Sequence, residues 1–239
     1  MPPPLATESA DGVTTIVMDD GKANALTFEM FAGINDSLDR CEADGDVALI
    51  AGRPGRFSGG FDLGVLTAFT EDSARLLRTG FELSHRLLSF PRPVVMAVTG
   101  HAYAIGGFLV LSGDYRLGVS GAEHRITANE VSIGMALPHA AIEVCRQRLR
   151  RSAFERATAL AEVFSPEQAV EAGWLDQLVP AGELLDRARG KAISLAALDA
   201  GAHRVTKLRS RAQTLERLAA AIQRDDDEFL AAIAQQGGS

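Results

Sequence analysis

Two unbroken apolar runs, VALIA at residues 47–51 and PVVMAV at residues 93–98, constrain this chain most. A strand with one wet face alternates apolar and polar side chains. A run with no polar break belongs to a strand covered on both faces. Helical patterns precede each of these runs. Phe28, Phe31, Ile34, Leu38 and Cys41 recur at roughly helical spacing behind Thr27, a capping residue with Glu29 in the turn that follows. Residues 74–88 read as a second helix, stopped by Pro91 and Pro93. Residues 13–18 and 115–119 are further strands, and residues 108–111 continue from Gly106-Gly107 as a short buried helix. Strands alternating with helices predict an α/β layered core, without a clear internal repeat.

Beyond residue 140 the strand signals thin out. Ser165, Pro166 and Gln168 open a helix with a serine cap, proline at the first position and glutamine three residues after the cap. That helix ends at Gly173, residues 174–179 form a short link, and helices are expected over 184–198 and 202–233. The simplest division is a core over residues 1–184 and a C-terminal helical region over 185–239. The apolar stripes of that region favour packing in an oligomer.

Composition excludes several classes. A formal net charge of -7 argues against nucleic acid as the main partner, because phosphate recognition concentrates Lys and Arg. Cys41 and Cys145 are the only cysteines, too few for a disulfide framework or a zinc site, and no HExxH-like spacing appears; no metal is expected. The N-terminal segment lacks a basic stretch followed by an apolar core, and the apolar runs are too short to span a bilayer. A soluble, cytoplasmic protein without membrane insertion is expected.

Chemistry concentrates in three segments: RFSGGFDL at 56–63, GHAYAIGGFLVL at 100–111 and ANEVSIGM at 128–135. Gly59-Gly60 permits a tight turn that presents the Phe61 N–H, with the Phe61 ring free to pack against a ligand. Gly106-Gly107 opens an apolar helix, where free N–H groups and the positive helix end favour an anion. Glu130 adds a carboxylate in a mostly apolar setting. Two backbone donors and one acid are what stabilising an enolate and moving a proton beside it require. Read singly, each glycine pair is equally a packing feature, and Glu130 equally a surface acid. Ser58 lacks the G-x-S-x-G elbow of a serine hydrolase, and Gly52–Gly55 lacks the G-K-[ST] that would make a P-loop.

Together with KANAL (22–26), AVTGHAYAIGG (97–107), Asp114–Arg116 and FSPEQAVEAGWLDQLV (164–179), these segments resemble the enoyl-CoA hydratase/isomerase superfamily, the crotonase fold, over residues 13–180. The resemblance implies a repeated ββα spiral, an acyl-CoA thioester substrate, and a homotrimer or dimer of trimers. It also implies fatty-acid metabolism and no cofactor, CoA being part of the substrate. It assigns the oxyanion donors to the N–H groups of Phe61 and Gly107. The CoA moiety falls to Lys22, Ala23, Ser58, Gly60, Phe61 and Gly107. Lys207, Arg209 and Arg211 become candidates for CoA phosphates, and Leu63, Leu66, Phe69 and Phe81 for the acyl-chain wall. Hydratases of the family commonly use two glutamates, one of them three positions beyond the second oxyanion glycine. Here that position is Val110, and only Glu130 remains. The pattern therefore looks most like the single-glutamate Δ3,Δ2-enoyl-CoA isomerases. A hydratase or other crotonase-type acyl-CoA enzyme, and a non-catalytic acyl-CoA-binding protein, are the alternatives. A second acid from Asp62, Glu123 or Glu143 would favour the hydratase, although Asp62 is better read as a brace of the oxyanion turn.

Overall fold

A computed structural model describes residues 4–237. Its first strands are β1 (Leu5–Ala10) and β2 (Val13–Met18), then β3 (Ala25–Leu26). Helix α1 (Phe28–Asp44) starts where expected, with the Thr27 hydroxyl accepting the Met30 N–H. Strands β4 (Val47–Gly52), β5 (Gly55–Ser58) and β6 (Gly60–Phe61) lead through a short α2 (Leu63–Leu66) to α3 (Glu71–Ser89). Then come β7 (Val94–Val98), β8 (Gly100–Tyr103), α4 (Ile105–Ser112), β9 (Tyr115–Val119) and β10 (Ile126–Thr127). The remainder is α5 (His139–Arg148), α6 (Arg151–Thr158), α7 (Pro166–Ala172), β11 (Gln177–Val179), α8 (Leu184–Ala196) and α9 (Ala200–Gly237). No helix among the described residues is long and apolar enough to cross a membrane.

The main sheet has the order β1-β2-β4-β7-β9-β11, parallel except for the β1–β2 hairpin. A smaller parallel sheet, β10-β8-β5, lies beside it. Three times the chain lays down a main-sheet strand (β4, β7, β9), a small-sheet strand (β5, β8, β10) and then a helix (α3, α4, α5). This is the ββα spiral that the resemblance implied. It repeats in space with no matching repeat in sequence, because each turn meets different neighbours.

The apolar runs are buried on both faces, as their lack of alternation requires. Val47, Leu49, Val95 and Ala97 face a layer made by Leu184, Ala188 and Ala192 of α8. Ala48, Ile50, Val94 and Met96 face the larger core with α1, α3 and α4. The division drawn at 184/185 thus falls at the first residue of α8, the helix that packs on one face of the sheet over β2, β4, β7 and β9. Helix α9 lies along α3 and α5 of the same chain. At the crossing of β5 and β8, a Cβ on Gly100 would stand 1.8 Å from the Gly55 carbonyl carbon, so only glycine lets the backbones touch.

Helices α5 and α6 and the short strands β3, β5, β6, β8 and β10 were not anticipated, and two further elements departed from expectation. Residues 177–179 of the supposed link add a sixth, parallel strand to β9. The N-terminal β1 also went unread. Its LATESA sequence is mostly exposed and carries no apolar alternation, so only pairing with β2 defines it.

Candidate functional site

The site grows around the first turn of α4. Ala104 caps that helix, and the first intrahelical bond runs from the Phe108 N–H to the Ala104 carbonyl at 3.1 Å. The N–H groups of Ile105, Gly106 and Gly107 precede it and have no partner within the helix. Gly106 is needed because a Cβ there would lie 2.7 Å from Ser58 Cβ, so the helix start sits directly on β5. The β6 turn abuts the same place: a Cβ on Gly60, whose φ is +103°, would lie 3.4 Å from both Ala104 Cβ and Tyr103 O. Phe61 and Ile105 share a neighbour, since a Cβ on Gly80 would meet the Phe61 ring at 2.6 Å and Ile105 Cγ1 at 3.2 Å. Strand β6 and helix α4 are in contact. Gly107 faces inward, toward Trp174. The expected donor Gly107 thus lies in the same first turn as Ile105 and Gly106.

Glu130 reaches the site by a short tether. The Ala104 N–H donates to Thr127 O at 3.0 Å, and Glu130 follows three residues later, a span of at most about 10 Å. Glu130 is 7% exposed, its Oε2 has no hydrogen-bond partner, and burial pushes its carboxyl up to about 7. Its backbone carbonyl accepts the N–H groups of Ile133 (3.1 Å) and Met135 (2.9 Å) around a 3-10 turn at Val131–Ile133. The exposed Val131 and Ile133 flank it. A buried carboxyl with one free oxygen and a pKa near neutrality is suited to accept and return a proton.

No second acid stands on α4. All eight of its residues, Val110 among them, are buried, and none is ionisable. Asp62 caps α2 by accepting the Gly64 N–H at 2.9 Å, the bracing role expected of it. Glu143 pairs with Arg146 at 3.2 Å, and Glu123 is exposed.

Several expected contacts are redirected. The Phe61 ring packs in the core against Phe31 and Phe81, with centroids 6.2 and 6.4 Å away, instead of waiting for a ligand. Ser58 is fully buried; its hydroxyl donates to Asn24 O at 2.8 Å and accepts the Gly60 N–H at 3.1 Å. Lys22 and Ala23 are exposed beside this turn, and Ala23 O accepts the Gly59 N–H at 2.8 Å. Lys207 and Arg211 are committed elsewhere, 2.7 and 2.8 Å from the Asp114 carboxylate at the far end of α4, while Arg209 is exposed. Phe81 is core, Leu66 is buried, Leu63 is exposed and Phe69 meets Phe229 of α9 at 5.0 Å. His101 accepts the Arg125 N–H at 3.1 Å, a local bond of the kind expected in that turn.

Two bracing residues escaped the sequence reading. Asn24, with φ +52° and fully buried, donates to Met18 O at 2.9 Å, Arg56 O at 3.2 Å and Phe57 O at 3.3 Å. Asp20 accepts the N–H groups of Lys22, Asn24 and Ala25 at 2.7, 2.9 and 3.1 Å. Together they lock the 20–25 loop under the Phe61 turn. The Asp-Asp-Gly turn signal ahead of KANAL was the available clue.

The family model described as Enoyl-CoA hydratase/isomerase matches residues 8–237. The chain belongs to this family. It is an acyl-CoA enzyme with the crotonase fold. This enoyl-CoA hydratase/isomerase family member is 27% identical over 232 residues to human mitochondrial enoyl-CoA delta isomerase 1, covering 95% of this chain and 77% of that one. An apo structure of a Mycobacterium tuberculosis enoyl-CoA isomerase is 43% identical, with TM-score 0.89 over 97% of this chain and 99% of that one. A second structure of the same protein, described as a probable enoyl-CoA hydratase, is 42% identical, with TM-score 0.93 over 98% and 99%. Both activities are named among its relatives, so the choice rests on the site.

Proposed function

We propose that this family member is a Δ3,Δ2-enoyl-CoA isomerase using Glu130 as its single proton shuttle. One observation carries the reading: a lone buried carboxyl, pushed up to about 7 and without a partner on Oε2, beside a helix that bears no acid. Hydration activates a water at C3 and supplies a proton at C2, work usually shared by two acids. Isomerisation needs one. Glu130 takes a proton from C2 of the 3-enoyl thioester, and the electron pair delocalises onto the thioester oxygen as a dienolate. The N–H of Phe61 and the first-turn N–H groups of α4, from Ile105 to Gly107, hold that oxygen. The same carboxyl returns the proton to C4, leaving the double bond between C2 and C3. No cofactor enters. The desolvation that raises Glu130 also strengthens it as a base once ionised.

The CoA moiety is assigned to the exposed strip at Lys22 and Ala23 with the adjoining backbone of Gly60 and Phe61. The neighbouring cavity of about 600 Å³, lined by Gly21 and Ala25, also carries Asp19, Asp20 and Glu29, which repel phosphate. The assembly is proposed to be a homotrimer or dimer of trimers, which sedimentation of the 25.4 kDa chain will resolve from a monomer.

The deciding assay follows 3-hexenoyl-CoA and 2-hexenoyl-CoA with purified wild-type protein and Glu130→Gln. Conversion of the 3-enoyl to the conjugated thioester, lost in the Gln variant and with little hydration, is the expected result. Hydration of the 2-enoyl ester without isomerisation overturns the reading in favour of a hydratase. Binding without turnover of either ester overturns it in favour of a binding protein.

A further inference from the structure

Ser58 ends β5 with a fully buried side chain. Its hydroxyl donates to Asn24 O at 2.8 Å and accepts the Gly60 N–H at 3.1 Å. The sequence counted Ser58 among the CoA contacts. A side chain with no exposed surface, its proton and an acceptor site both used within the chain, is not placed for that. Burying a hydroxyl is costly, and an alanine methyl would fill most of the same space. The hydroxyl is therefore explained by its two partners.

Of these, Gly60 is the informative one. It is buried, and with φ +103° it is a residue whose own preferences fix the backbone least. The Ser58 oxygen holds the peptide that joins residues 59 and 60. On the other side of Phe61, the Asp62 N–H donates to Leu26 O at 3.3 Å. The peptide carrying the Phe61 N–H lies between these two anchored neighbours. Ser58 also meets the second donor-bearing turn. A Cβ on Gly106 would stand 2.7 Å from Ser58 Cβ, closer than such atoms come, so the first turn of α4 rests directly on this side chain. One serine thus touches both turns, and Asn24 O ties it to the loop over residues 20–25.

We infer that Ser58 is a positioning residue whose hydroxyl aims the Phe61 N–H toward the oxygen shared with the first turn of α4. This rests on the proposed reading that those N–H groups bind the thioester oxygen; it does not depend on which acyl-CoA reaction follows. Without the hydroxyl, the buried Gly60 N–H loses its partner, and the flexible glycine turns to find another. A donor aimed slightly away still admits the neutral thioester but stabilises the oxyanion less.

The test compares Ser58→Ala and Ser58→Cys with wild type, at a temperature well below every thermal midpoint. Cysteine keeps the shape of serine but offers only a weak acceptor, so it separates the hydrogen bond from packing. The readouts are the near-ultraviolet enolate band at saturating acetoacetyl-CoA, kcat and KM for 3-hexenoyl-CoA, and the pH at which kcat/KM levels off. In both variants the band and kcat should fall about tenfold, with KM within about twofold and the pH profile unmoved. Should the alanine variant not fold, the cysteine variant carries the same comparison. A band and kcat equal to wild type in Ser58→Cys overturn the inference, because shape alone then suffices. A shifted pH profile also overturns it, since the change then reaches Glu130 and is a general disturbance of the site. A wild-type protein that forms the band without isomerising overturns the isomerase reading alone, and Ser58 is then judged on the band. Absence of the band in wild type removes the donor pair and the inference with it.

Discussion

At the scale of the residue, Glu130 carries two opposed consequences of one burial. Its carboxyl sits at about 7 in the fold and near 4.5 in an exposed chain. The base form is the ionised one, so kcat/KM for the 3-enoyl thioester should rise with pH and level off above about 7. A pH–rate profile checks this, and a profile flat from pH 5 to 9 would be incompatible with Glu130 as base. Glu130→Gln should lower kcat by about 10²–10⁴-fold. Stability runs the other way. A carboxyl whose folded pKa is raised contributes stability that is full below its unfolded pKa and is lost as pH rises through the folded value. Between pH 4.5 and about 7 the fold therefore loses on the order of 3 kcal/mol at this site, since each pKa unit is worth about 1.4 kcal/mol. The Gln variant lacks that loss. Denaturant midpoints should show it gaining on wild type as pH rises from 5 to 8, while its activity is gone. The sequence made Glu130 and the Phe61 turn legible, because a glycine pair and a lone acid in an apolar segment leave a local signature. The burial of Ser58 left none, and the bracing by Asn24 left only the Asp-Asp-Gly turn ahead of it, since both depend on where distant strands cross.

At the scale of the element, the C-terminal helix is fixed by charge as well as by apolar packing. Burial alone would raise the Asp114 carboxyl, but Lys207 and Arg211 of α9, with the Val94 N–H, hold it below the ordinary carboxylate range. Lys207 and Arg211, four residues apart, share a face of α9, and that face is the inner one. A charged pair four residues apart reads as solvated until its buried partner is known, and that partner lies 93 residues away in sequence from Lys207. Asp114→Ala leaves two cations buried and unpaired, which should cost about 3–5 kcal/mol. Urea unfolding measures it, and a loss under about 1 kcal/mol would mean that solvent or another carboxylate takes over the pairing. Farther along α9, Asp225 accepts the N–H groups of His139 and Ala140 at 2.8 and 2.9 Å, so one helix caps the start of another. The same contact fixes the helix that follows the Glu130 segment.

At the scale of the whole molecule, the question is whether the helices beyond residue 184 form a separate unit. Apolar stripes alone pointed toward packing in an oligomer, because a stripe does not say whose surface it meets. In the fold, α8 packs on one face of the main sheet, while Leu218, Ala221 and Ile222 of α9 join the core on the other side. Phe229 meets Phe69, and Arg78 of α3 pairs with Asp226 at 3.0 Å. Removing α9 would therefore expose the faces of α3 and α5 and strand Asp114 without its cations. A chain ending at residue 198 is expected to lose cooperative unfolding and near-ultraviolet ellipticity while keeping much of its far-ultraviolet signal, the signature of secondary structure without fixed packing. The full chain should unfold in one transition seen alike by fluorescence of Trp174, fully buried in the core, and by far-ultraviolet ellipticity. A shortened chain that still melts sharply, with native-like near-ultraviolet ellipticity, would instead establish residues 1–198 as a self-sufficient core with α9 as an added layer. In that case the Glu130 site should survive the truncation. If the helices are one unit with the sheet, activity and cooperativity should disappear together.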